Sequence, residues 1–446
     1  MILAGGTFDV TVGKVRPGTY INFLGNSANT VGTVERGTVL LPLLAHDYGP
    51  GDTFICLDGS NPDAAVAQLG YSVFDAGNDG MLMIREAMKN AKEVLVYLPA
   101  GGSAAETTVG NLTVKAKYAG RRGEDFKVVV EGVPANEPQT YNVFVFLGTM
   151  LVFEKRGVSS VAELSGNVSD WVVFEGEGPL SAAAGVNLEG GANATVSDAQ
   201  ISAFLSGSES YQWQTLAWPY EDHLEQVKAK IKYLREEAGM YRKAVCTNFA
   251  ADYEGIINVT NAVKLADGRE LDAYQAAAWV AGADAGAGVA KSLTYKEYQG
   301  AVAVVEPKNH AAAVEAIQNG EFFFASSDAG KVVVEYDINS LTASSGKDMS
   351  YCKNRILRVF DSFAEAVKLN FPPNKFDNSP AGWIVMEGEG KALLKQFEGT
   401  GAIANVDYDT DFLVNRNTSR GDSTYFNVGL QAVDSAEKLY FEIQTR

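Results

Sequence analysis

Apolar positions along the 446-residue chain switch between two periods. Met81, Ile84, Met88 and Ala91 fall at i, i+3, i+7 and i+10, which predicts a helix over 80–92. Leu224, Val227, Ile231 and Leu234 give the clearest helix, 221–238, stopped by Gly239. Ile356, Phe360, Phe363 and Val367 mark another over 352–369, closed by Pro372-Pro373. Further helices are predicted at 63–69, from 201, and over 272–283, 309–319 and 390–397. Between them run strand-like segments at 31–44, 93–98, 241–246, 256–259, 322–325, 332–336 and 428–433, with an apolar segment at 381–386. This is a mixed α/β pattern.

Residues 104–190 have a different texture. Leu112, Val114 and Ala116 alternate with Thr113, Lys115 and Lys117, and short strands follow at 126–130, 141–147, 151–155 and 171–174. Strands this short, separated by turn residues, predict a small β-sandwich set between α/β parts. The two chain ends carry isolated strand patterns. Thr19, Tyr20, Ile21, Asn22 and Phe23 follow the turn Arg16-Pro17-Gly18, and Leu439, Phe441 and Ile443 alternate with Tyr440, Glu442 and Gln444. A lone strand near a terminus has few local partners, so it must pair with a distant segment or with another molecule.

The expected fold class is therefore α+β, or mixed α/β multidomain: an α/β core, an inserted small β-sandwich and extended N- and C-terminal strand arms. The divisions read as an N-terminal arm 1–27, an α/β part 28–103, the sandwich 104–190, a middle α/β domain 191–345, a C-terminal α/β domain 346–433 and a terminal arm strand 434–446.

Composition narrows the chemistry. Acidic residues number 55 against 37 basic ones, a net charge of −18, which argues against nucleic acid or an anionic membrane as partner. The three cysteines, Cys56, Cys246 and Cys352, lie far apart and read as small reduced hydrophobes. No secretory leader is legible, and the longest apolar run, 276–283, is too short to span a bilayer. The stretch GADAGAGVAKS at 282–292 lacks two glycines that a phosphate loop needs, so it reads as a flexible loop. His46, His223 and His310 have no partner at metal-ligand spacing. Asp407, Asp409 and Asp411 begin like a calcium loop, but Phe412 and Thr418 occupy the positions that need glycine and glutamate, leaving a solvated turn. No catalytic site, cofactor or metal is expected.

Charge is unevenly spread. Residues 346–446 hold twelve basic and fourteen acidic residues, and most of the acidic excess lies before them. Lys353, Arg355 and Arg358 make a basic patch on the predicted helix over 352–369, with Lys391 and Lys395 on the next.

Several segments carry a family resemblance. Lys14-Val15-Arg16-Pro17-Gly18-Thr19-Tyr20-Ile21-Asn22-Phe23 resembles the N-terminal arm of contractile-tail sheath proteins of phages and phage-like particles, the Gram-positive prophage type in particular. The segment from Ala116 through Tyr118, Gly120 and Gly123 to Asp125 is similar to the family's A-x-Y-x-G-x-x-G-N-D, with Glu124 in place of asparagine. Leu188-Glu189-Gly190-Gly191, Ile338-Asn339-Ser340-Leu341-Thr342, the run from Lys353 to Asp361, and the close from Ala436 to Ile443 resemble further family segments in order. The resemblance implies a non-enzymatic subunit that polymerises as stacked hexameric rings around a tail tube. Contraction then drives the tube through a bacterial envelope. It implies as partners other copies of the chain, the tail tube protein, and baseplate and tail terminator proteins, with no nucleic acid and no membrane. It places the protein in a tail or phage-tail-like particle assembled in the host bacterial cytoplasm. Thr19–Phe23 and Leu439–Ile443 are then inter-subunit strands, and Lys353, Arg355, Arg358, Lys391 and Lys395 face the tube. An adhesin-like protein working through the sandwich is the alternative.

Overall fold

The computed structural model describes residues 35–75, 77–134, 139–167, 169–342 and 348–445, with the backbone of 4–6 and 18–20. At its centre lies a seven-stranded sheet. From edge to edge its strands are Glu321–Phe322, Ile256–Val259, Lys243–Thr247, Thr215–Ala217, Thr38–Pro42, Glu93–Leu98 and Thr53–Asp58. All pairings are parallel except the last, where Thr53–Asp58 runs antiparallel to Glu93–Leu98. The parts expected separately at 28–103 and 191–345 thus share one sheet. The reason is visible in strand composition. Val39, Leu40 and Leu41, like Val94, Leu95, Val96 and Tyr97, are buried on both faces, as in an interior strand of a sheet covered on both sides.

Helices cover both faces. Asp79–Met88 and Ala273–Gly286 pack on one, Asp198–Gly207 and Leu224–Glu236 on the other. The stripe Val227, Ile231 and Leu234 faces the sheet as its spacing predicts. Capping boxes at Ser197/Gln200 and Asp272/Gln275 fix two helix starts. The expected loop at 282–292 is a correction. Ala273–Gly286 continues through Gly282 as a helix with every residue from Ala276 to Ala285 buried. Its small side chains let it lie between the sheet and the Asp79–Met88 helix. A Cβ at Gly282 would fall on the Ala87 carbonyl oxygen, and one at Gly286 on that of Asn90. Close backbone approach, rather than flexibility, explains these glycines.

Residues 106–187 form the sandwich. One sheet orders Met150–Val158, Tyr141–Leu147, Phe126–Gly132 and Ala183–Asn187; the other orders Val172–Glu175, Leu112–Ala116 and Glu106–Val109. Leu112, Val114 and Ala116 point inward with Phe126, Val128, Val130, Val143, Val145 and Leu147.

After Asp348, helices Asn354–Asn370 and Pro380–Gly399 pack through Val359, Phe363, Leu393, Leu394 and Phe397. The second helix joins the two segments read separately at 381–386 and 390–397. Its Gly390 is demanded by the Phe412 ring, which would overlap any Cβ there. Phe412–Val414 pairs antiparallel with Phe426–Val428 in an isolated two-stranded sheet. The strand expected at 428–433 therefore ends at Val428. The one expected at 439–444 forms no ladder, because among the described residues no strand lies beside it.

Candidate assembly surfaces

The C-terminal end is built in three stages. Backbone pairing holds it first, with Ala404 N–H donating to Gln431 O at 3.0 Å and Val433 N–H to Ala402 O at 2.9 Å. Side chains then take over. Lys353 pairs with Asp434 at 2.8 Å and with Glu437, Ser292 Oγ donates to Glu437 at 2.8 Å, and Arg355 donates to Ser435. Beyond Lys438 the chain leaves the body. Leu439, Tyr440, Phe441 and Ile443 are 66%, 90%, 80% and 88% exposed. Four large apolar or aromatic side chains in solvent on an alternating segment form a surface awaiting cover. Leu439, Tyr440, Phe441, Glu442 and Ile443 thus lie together, outside the body.

At the other end, Thr19 and Tyr20 fall in the strand Gly18–Tyr20, which pairs in parallel with Ala4–Gly6. This two-stranded pair has no ladder to the rest of the described chain. Ile21, Asn22 and Phe23 lie outside the described residues.

The sheet Phe412–Val414/Phe426–Val428 is a candidate acceptor. Its Phe412 side packs on the Pro380–Gly399 helix, and Glu387 accepts the Val414 N–H at 3.0 Å. The Phe426–Val428 side ends the sheet, with Asn427, Val428 and the adjacent Tyr425 exposed. An unpaired strand edge is a template for another strand.

The basic patch required correction. Arg358 is fully buried and cannot present charge to a partner. Its guanidinium lies 3.0 Å from Asp284, 3.5 Å from Asp337 and donates to Lys291 O at 2.6 Å. The cause is its helical position. It lies on the same face as Asp361 and Glu365, three and seven residues on, which Asn354–Asn370 turns toward the middle domain. Lys353 and Arg355 are spent on the C-terminal segment. Lys395 is exposed and Lys391 half-buried, one turn apart on the helix face that also exposes Ile384 and Val385.

Sequence reasoning missed the seam between the middle and C-terminal domains. Asp284 is completely buried and receives Lys243, Arg358 and, at 2.7 Å, Thr215 Oγ1. Burial alone would raise its pKa, but Lys243, Arg358 and Arg36 overcome that and hold it below the ordinary aspartate range. Burial lowers the Lys243 ammonium to about 8, only partly offset by Asp284. Along the same helix as Arg358, Asp361 takes both arms of Arg235 at 2.8 and 2.9 Å, and Glu365 takes Arg242 at 2.7 Å. The available signal was a lone aspartate, Asp284, ending the eight-residue apolar run 276–283. Among the described residues no cluster of His, Cys, Asp or Glu could hold a metal ion, and no helix is long and apolar enough to cross a membrane.

Comparison with known proteins covers the chain from residue 100 onward with three domain models. The phage tail sheath protein beta-sandwich domain matches residues 100–193, the phage tail sheath protein central domain 194–340 and the phage tail sheath C-terminal domain 346–446. The phage-like element PBSX protein XkdK of Bacillus subtilis (strain 168) is 33% identical over 99% of both chains. The crystal structure of a sheath tail protein from Desulfitobacterium hafniense is 36% identical, covering 96% of this chain and 99% of that one, with a TM-score of 0.83. The helical sheath of the anti-feeding prophage in its contracted state, 13% identical, shares the fold at a TM-score of 0.55 over 98% of this chain and 100% of that one.

Proposed function

The chain belongs to the phage tail sheath protein family and is a structural subunit of a contractile tail sheath, and on that premise we propose how its copies are joined. It self-assembles into a helical sheath in a tail or phage-tail-like particle. In the proposed assembly, subunits form hexameric rings stacked around a tube. The segment Leu439–Ile443 of one subunit adds to the open edge of Phe426–Val428 in a neighbour, and the arm carrying Thr19–Phe23 pairs likewise with another copy. The observation that carries this reading is the apolar face Leu439, Phe441, Ile443, held in solvent beyond an anchored root while the same domain offers a two-stranded sheet.

Each backbone hydrogen bond contributes only about 0.5–1.5 kcal/mol net, but several per strand, repeated around every ring, would keep subunits tethered while their bodies rotate. Contraction would then drive the tube through a bacterial envelope, with baseplate and terminator proteins at the sheath's ends and assembly in the host cytoplasm. Lys391 and Lys395 are the proposed tube-facing charges, and the sandwich is proposed to point outward, where an insertion leaves the packing between subunits undisturbed. Deleting residues 1–23 is expected to give folded monomers that do not polymerise. Electron micrographs showing normal cylinders from that truncated chain would refute the tether.

A further inference from the structure

We propose that Glu437 and Lys353 are positioning residues for strand exchange: they clamp the C-terminal segment at a fixed root, so the exchanged ribbon leaves the body at a defined point. The inference rests on the strand-exchange reading above. Its basis is the order of interactions along the tail. Backbone pairing ends at Val433, and past Lys438 the side chains stand in solvent. Between them, residues 434–437 are held by side chains alone. Within this exposed stretch the Glu437 side chain is only 8% exposed, and its partner Lys353 16%. The Lys353 ammonium also lies 5.0 Å from the Tyr336 ring, where Lys438 approaches from 5.9 Å. Burial would lower the Lys353 pKa, but Asp434 and Glu437 raise it well above that of a free lysine.

Lys353 immediately precedes helix Asn354–Asn370. That helix is tied to the central sheet's domain by Arg358 to Asp284, Asp361 to Arg235 and Glu365 to Arg242. Tension on the ribbon therefore passes from Glu437 to Lys353, down the helix, and through three buried ion pairs into the body. If the clamp opened, Arg355 would still hold Ser435, so the free segment would begin there instead of at Glu437. Two more residues at ~3.4 Å each would add about 7 Å of slack. Slack lowers the effective concentration of the ribbon at its acceptor edge, while the edge itself and the strand that docks there stay the same.

The test uses the full chain with Glu437→Gln, Lys353→Met, the exchange Lys353→Glu/Glu437→Lys, and a deletion of 439–446. Critical concentration for polymerisation is measured by sedimentation across a salt series, and monomer melting in parallel. Each single substitution is expected to leave melting unchanged and raise the critical concentration about 1.3- to 2-fold. The exchange renews the pair but sets a carboxylate beside Asp434, so it should restore assembly only in part, and because the pair is nearly buried, salt should shift the wild type little. Single variants that polymerise at the wild-type concentration would overturn the clamp, as would a loss of assembly that merely follows a loss of melting temperature. The deletion separates the two readings. If it abolishes polymerisation, strand exchange stands whatever the clamp variants do. If it polymerises normally, strand exchange and the clamp fall together.

Discussion

Phe441→Ser is the sharpest perturbation of the proposed mesh, because the ring is 80% exposed in the subunit. Fully burying a phenylalanine contributes about 1.5–3 kcal/mol, so four fifths of that, ~1.2–2.4 kcal/mol, is still to be gained on docking. Each added subunit docks one such ribbon, and the loss enters once per addition. At about 1.4 kcal/mol per decade, the critical concentration should rise roughly seven- to fifty-fold. Monomer stability should not change, since the ring stands outside the core. Sedimentation of polymer across a dilution series reads the first quantity, and thermal melting of the monomer the second. Tyr440→Ser is the matched control. Tyr440 is more exposed still, but it lies on the opposite face of the alternating segment and should shift assembly less. Wild-type assembly by Phe441→Ser, or a fall in melting temperature large enough to account for the missing assembly, would refute the reasoning.

Asp284→Asn should cost about 3–5 kcal/mol, because it leaves Lys243 buried without its carboxylate and Arg358 with Asp337 alone; chemical denaturation checks it. The same residue sets an acid limit. Its folded-state pKa is depressed, so its contribution is complete above the unfolded value of 3.8 and is lost as pH falls below that; acid melts of the wild type should show this limb and those of Asp284→Asn should lack it. Gly282→Ala should destabilise by about 1–3 kcal/mol, since the new methyl must push the Ala273–Gly286 helix off the Ala87 carbonyl; thermal melting reads it. Lys391→Glu/Lys395→Glu should leave monomer melting intact and weaken sheath binding to purified tube at low salt, and unchanged binding there would remove these lysines from the tube interface.

Much of the fold was legible because burial left a period. The stripe Val227, Ile231 and Leu234 and the alternation Leu112, Val114 and Ala116 fall where the structure buries them. The failures have one physical source: the partner is remote in sequence. Gly282 looked like a loop residue because its reason is the backbone of Ala87, nearly two hundred residues earlier. Arg358 looked like a surface charge because its carboxylates, Asp284 and Asp337, belong to another domain. Leu439–Ile443 was legible as an alternating strand, yet it forms no ladder with the described residues of its own chain, since alternation specifies a face to bury and not who covers it.

That distinction bears on how a sheath could be both durable and triggered. An interface that must persist through contraction is best made from backbone pairing and apolar burial, which salt and small rotations hardly weaken. One that must let go is best made from exposed charge, which contributes little per pair and falls off with distance and ionic strength. The chain separates these chemistries. Lys353, Arg355 and Arg358 are turned inward, to the root of the ribbon and the domain seam, so three of the basic residues that looked available for release serve cohesion instead. Lys391 and Lys395 remain at the surface of the neighbouring helix. On the proposed reading, the tube is held by a few screened charges and the neighbouring subunits by strands. Raising salt should therefore free the tube well before it dissolves the sheath, and a sheath that falls apart at the salt concentration that releases the tube would show that the two interfaces are not chemically distinct.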